Sequence, residues 1–154
     1  MGKCYISKIF LNLSVHSWII FIGKLFKADK VNSSERITRY LFSKNSFREN
    51  NSLRHNEFMP PPANYRWSVY RTSTLHETEI WQIGKEVVSP ARKLPLIGRG
   101  DLSAEKVLAL CLSISPATTP HPLHANVEGW KADTVKDRLL ALKLAEAATG
   151  YRTP

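Results

Sequence analysis

Proline decides where this chain can be regular. Pro60, Pro61 and Pro62 stand in a row, and three consecutive prolines can neither feed a sheet ladder nor occupy a helix interior. Pro90 follows Ser89 at the end of a helical pattern, and Pro116, Pro120 and Pro122 crowd residues 116–123 into a loop. Regular structure is left to the short runs between these points.

Each run carries its own periodicity. Residues 36–43 (RITRYLFS) have the β-branched and aromatic density of a strand. Residues 67–72 (WSVYRT) read as a second strand, with Trp67, Val69 and Arg71 on one face. Thr74 and Glu77 fit a capping box. Ile80, Ile83, Gly84 and Val87 then recur at helical spacing, which predicts a helix over 75–88 stopped by Ser89-Pro90. Residues 94–102 look extended, with two glycines that suggest a bulge or close packing. Ser103 can cap a short helix over 104–109, residues 110–115 alternate as a strand, and 124–130 (HANVEGW) form another. Asp133 caps a last helix reaching about Thr149, with Leu139, Leu140, Leu142, Leu144, Ala145 and Ala148 on a broad buried side and Gly150 as terminator. The order is β-β-α-β-α-β-β-α. Without a strict βαβ rhythm this is an α+β fold, with a small mixed sheet, two main helices and one short one. Residues 44–65 form a connection unusually long for a small domain, of the functional or mobile kind. Together with the chain ends they read as disordered.

At 154 residues the chain has the length of one domain, here placed at 36–150. Four Trp and six Phe supply one core, and two Cys exclude a disulfide scaffold or a thiolate zinc finger. Cys111, inside the apolar run 107–114, reads as a small buried hydrophobe. Cysteine usage fits a reducing, cytoplasmic setting.

Residues 1–35 are an extension set apart by composition. Residues 9–23 carry no formal charge and are bracketed by Lys3, Lys8, Lys24 and Lys27. As a helix that run spans ~22 Å, short against a hydrocarbon core of ~30 Å. Three readings are open: a membrane-associated segment over 9–26, an element docked on the domain, or a gene start placed too early, the natural one lying near Val31. The first would make the protein peripheral to a membrane.

The net charge is +9, and residues 1–65 carry +6 of it against +3 for 66–154. Such a balance attracts nucleic acid, anionic lipid or an acidic partner. Lys44, Arg48, Arg54, His55 and Arg66 cluster in or beside the long connection, among Phe47, Phe58 and Tyr65. Basic side chains interleaved with aromatics suit single-stranded nucleic acid, through phosphate attraction and base stacking.

The segments FMPP (58–61), SVYR (68–71), EIWQIG (79–84), RGDL (99–102) and HANVEGW (124–130) together resemble a family of short uncharacterised bacterial proteins. The likeness covers about 37–150, and the family pattern begins near Ile37, which sets residues 1–30 apart as an appendage. Gly100 stands where the pattern has alanine, and Lys131 where it has proline. The resemblance implies a gene carried among mobile or phage-defence neighbours and brings no activity with it.

Few residues carry chemistry on their own. His121 and His124 are spaced as HPLH, but Pro120 and Pro122 forbid the helix that an i, i+3 metal pair needs, so no metal site is expected. No cofactor fingerprint is present: there is no Walker A loop, Gly-x-Ser-x-Gly or RNP sequence. His124 opens a strand after a proline-rich loop and is the candidate acid–base residue. Arg71 shares its face with Trp67 and Val69, so it needs a carboxylate, such as Asp101 or Glu128, or an anionic ligand.

Three functions follow as expectations. The first is a non-enzymatic binding module for an anionic partner, nucleic acid or a nucleic-acid-handling protein. The second is an enzyme acting on a phosphate-bearing substrate, with Arg71 and Arg99 holding the anion and His124 moving a proton. The third is a membrane-attached accessory protein.

Overall fold

A computed structural model of the protein describes residues 30–154. The element order is β1 (Arg36–Leu41), β2 (Trp67–Arg71), α1 (Glu77–Gln82), a π turn (Ile83–Val88), α2 (Ser89–Arg92), β3 (Gly98–Ser103), α3 (Ala104–Leu108), β4 (Ser113–Pro116), β5 (His124–Glu128), α4 (Thr134–Ala147) and β6 (Thr149–Arg152). The six strands form one sheet in the order β4-β5-β2-β1-β3-β6. Every pairing is antiparallel, so the α+β class holds while the sheet is not the mixed one expected.

Register assigns the faces. Ile37 pairs with Leu102 and Arg71, and Val69 with Ala125, which puts these residues on one side with Trp67, Leu41 and Val127. That side holds the larger core, under α3, α4 and the connection 44–65. Thr38 pairs with Asp101 and Tyr70, Tyr40 with Arg99, and Tyr70 with His124. This second side is covered by the helical segment 77–92, through Tyr40, Tyr70, Ile80, Ile83 and Val88. The Tyr40 hydroxyl donates to the Ile80 carbonyl at 2.6 Å and fastens that helix to the sheet.

Several local expectations are corrected. The cap of α1 is His76, not Thr74: Glu79 at N3 accepts from the His76 amide at 2.7 Å. Pro90 does not stop the helix, because the π turn before it replaces i→i−4 bonding; the Ser89 amide bonds the Gly84 carbonyl. The chain leaves only at Lys93, in the left-handed conformation (φ 54°). Cys111 is exposed at φ 58°, in the turn between α3 and β4. Asp133 caps α4 as expected, accepting from the amides of Val135 and Lys136, but its buried side is Asp137, Ala141, Leu144 and Ala145, and Leu139 faces outward. Gly150 is not the terminator of α4, which ends at Ala147 with Ala148 already extended; it lies inside strand β6, residues 149–152, beside β3.

The connection 44–65 is no disordered loop. It contains two 3-10 turns, Lys44–Ser46 and His55–Phe58, and a bridge between Phe47 and Leu53. Phe47, Leu53 and Phe58 are 4%, 0% and 0% exposed. Phe58 packs on Trp67 with ring centroids 5.2 Å apart, and the Trp67 indole donates to the Glu57 carbonyl at 2.9 Å. Among the described residues no helix is long and apolar enough to cross a membrane. Residues 9–26, and the membrane reading built on them, lie outside the described residues.

Candidate functional site

The expected three-residue constellation does not assemble. Arg71 lies on the Trp67–Val69 face, whereas His124 pairs with Tyr70 on the opposite face. Arg71 is engaged by Glu35, in a fork of 2.7 and 2.8 Å, rather than by Asp101 or Glu128. Burial pushes the Glu35 carboxyl up, but the Arg71 fork and the Asn32 amide outweigh it and hold the group below its ordinary value. Arg99 is 1% exposed. It sits between the rings of Trp81 and Tyr151, 4.5 and 4.6 Å from their centroids, and reaches Glu77 at 2.8 Å and Asp101 at 3.3 Å. Both of its carboxylate partners come from the chain itself, Asp101 buried and Glu77 exposed.

The stacking platform is corrected too. Phe47 and Phe58 are core side chains with no ring face for a base. Tyr65 is exposed. Lys44, Arg48 and Arg54 are exposed and make no ion pair among the described residues, while Arg66 pairs with Glu128 at 3.1 Å.

His124 does line a pocket, with two arginines the sequence reading passed over. Strands β1 and β2 pair only through Ile37–Arg71 and Thr38–Tyr70. Beyond that point they part, and the Arg39 side chain fills the gap. Its Nη1 donates to the Ser68 carbonyl at 3.0 Å, and its guanidinium lies 5.5 Å from the Trp67 ring centroid. Among the described residues the buried Nε has no hydrogen-bond partner. Arg39 lines a cavity of about 220 Å³ together with Arg92 from the end of α2, Ser68, Tyr70 and His124. Phe42, Val88, Ala91 and Pro120 make an apolar wall.

The electrostatics of this pocket are one-sided. Burial, then the positive charge of Arg92, pulls the Arg39 pKa down to about 10; Glu57 opposes this from a distance. Burial raises the Tyr70 phenol to about 12, against the pull of Arg92 and Arg39. Neither Arg39 nor Arg92 makes an ion pair among the described residues. The His124 ring bonds the Ala117 carbonyl through Nδ1 at 2.8 Å, which places the proton of the neutral ring on that nitrogen. Burial holds its pKa below the usual histidine value, although the carbonyls of Ala117 and Thr119 work the other way. The pocket thus offers two arginines, a phenol and a hydroxyl, with no carboxylate among the described residues that line it. That is the donor set for one phosphate or carboxylate group.

One signal could have found Arg39. It alternates with Ile37 and Leu41, on the apolar register of its strand, which is the argument that singled out Arg71. Arg92 carries no such mark: it becomes a pocket residue only because the helix runs on past Pro90. No family model, curated protein or solved structure matches the chain.

Proposed function

We propose that the chain is a non-enzymatic binding module for an anionic partner, and that it grips the partner by one phosphate or carboxylate group in the Arg39–Arg92 pocket. The observation that carries this reading is that Arg39 and Arg92 line one cavity and neither has a carboxylate partner among the described residues. An anion there relieves the repulsion between Arg39 and Arg92. At about 220 Å³ the cavity suits a small ester or acid with a compact apolar body against Val88 and Pro120. A nucleic acid would enter it by a terminal phosphate and not by stacked bases, since Phe47 and Phe58 are buried.

Calorimetric titration tests this with inorganic phosphate, a small aromatic carboxylate, and an oligonucleotide with and without a 5′ phosphate. Binding should fall about tenfold or more in Arg39→Met and again in Arg92→Ala, the worth of a charge-assisted hydrogen bond. An oligonucleotide that binds only when phosphorylated supports the terminal-phosphate form. Equal binding of all these probes by wild type and Arg39→Met, or none at millimolar ligand, would sink the reading.

A further inference from the structure

Helix α4 has two apolar stripes where a surface helix needs one. The inner stripe, Ala141, Leu144 and Ala145, is in the core. The outer one is Val135, Leu139 and Leu142, at i, i+4 and i+7 and therefore on one face. Val135 is 69% and Leu139 55% exposed, and Leu142 is half-buried. Basic side chains stand on both sides of this seam: Lys136 and Lys143 on one, Arg138 on the other, all exposed. Lys136 is paired with Asp133 at 3.3 Å, whereas Arg138 and Lys143 make no ion pair among the described residues. Glu146 closes the seam at its C-terminal end.

We infer that this face docks an amphipathic helix of a protein partner whose flanks are acidic. The seam presents aliphatic side chains at the spacing by which one helix packs along another. Its basic borders select the charge of what lies on it. A second copy of the chain would bring like charges together across the seam, and so would the apolar run 9–23, which is bracketed by lysines. An anionic bilayer is a poorer match, because the seam runs only ~10 Å along the axis and carries no aromatic side chain to seat at a headgroup boundary. This site is separate from the Arg39–Arg92 pocket and does not depend on it.

The test uses the full chain and two labelled synthetic helical peptides read by fluorescence anisotropy. Both carry leucines at i, i+4 and i+7; one is flanked by glutamates, the other by lysines. The glutamate peptide should bind, more weakly as salt rises, and the lysine peptide about tenfold more weakly or not at all. Leu139→Glu should cost about tenfold, the worth of one buried leucine, and Arg138→Glu with Lys143→Glu should reverse the preference between the peptides. Both variants change exposed positions, and an unchanged melting temperature verifies that they fold. Equal binding of the two peptides, or indifference to Leu139→Glu, overturns the inference. So does a concentration-dependent dimer, or binding to phosphatidylserine vesicles without peptide binding, when Leu139→Glu abolishes it. Titration of Leu139→Glu with inorganic phosphate reports on the pocket separately.

Discussion

Three of the arginines on the sheet, Arg39, Arg71 and Arg99, have been given three fates by what stands opposite them. Arg99 is enclosed by Trp81, Tyr151, Glu77 and Asp101. Removing it leaves Asp101, which is 8% exposed, with the Thr38 hydroxyl at 2.7 Å as its one side-chain hydrogen-bond partner among the described residues. Arg99→Met should therefore destabilise the fold by about 3–5 kcal/mol, the range for breaking a buried pair from one side. Arg99→Met with Asp101→Asn should recover part of that loss, because the stranded charge is gone; chemical denaturation of both variants measures the difference. A double variant no more stable than the single one would mean that the aromatic enclosure, and not the charge, is what Arg99 supplies. Strand alternation made the partner question legible for Arg71 and would have done so for Arg39. It could not name the partners. Glu35 reaches Arg71 from just before β1, across a gap of 36 residues, and nothing local distinguishes an arginine that finds such a carboxylate from one that lines a cavity.

At the scale of elements, the runs between prolines predicted most of the strands and the two main helices, because amphipathic periodicity is local. What escaped depended on contacts between distant segments. The connection 44–65 looks polar, yet Phe47 and Leu53 lie on β3 and β6, where glycines leave them room. A Cβ on Gly98 would collide with the Tyr151 carbonyl and, at 2.6 Å, with the Phe47 ring. Strand β6 was invisible for the same reason: a short TGYR segment gains strand geometry only by pairing with β3. Gly84 serves the opposite face, where its bare Cα lets the π turn close on the Tyr40 ring. Gly98→Ala should then cost about 1–3 kcal/mol, the range for overpacking. Gly100→Ala should cost less, because the atom met first there is a terminal carbon of the Leu53 side chain, which can move. Denaturant midpoints of the two variants give the order, and a reversed order would show that the 44–53 segment is not held in this register.

The whole molecule responds to pH through groups spread over both faces of the sheet, and their signs differ. His124 has a folded pKa below its unfolded value near 6.5, so the folded state binds its proton more weakly. Its contribution to stability is complete above about pH 6.5 and is lost as pH falls from there through the folded pKa. Glu77, through its Arg99 hydrogen bonds, and Glu35, through the Arg71 fork, have lowered values. Their contributions hold above about pH 4.3 and go as pH drops further. Asp101 acts in the other direction, since burial raises it and acidification relieves the cost of its charge. The melting temperature should thus fall in two stages on acidification, the first starting near pH 6.5. His124→Asn should flatten the first stage and leave the second. The pocket adds a further consequence. A protonated His124 beside Arg39 and Arg92 gathers three positive charges around one cavity, and an anion seated there favours protonation. Sulfate, which does not titrate in this range, should therefore shrink the first stage in wild type, whereas in His124→Asn, which keeps Arg39 and Arg92, it should raise the melting temperature by the same amount at pH 7 and pH 5. A first stage that persists in His124→Asn would assign it to another group, and a sulfate effect that grows on acidification equally in both proteins would mean that the ion is not coupled to His124.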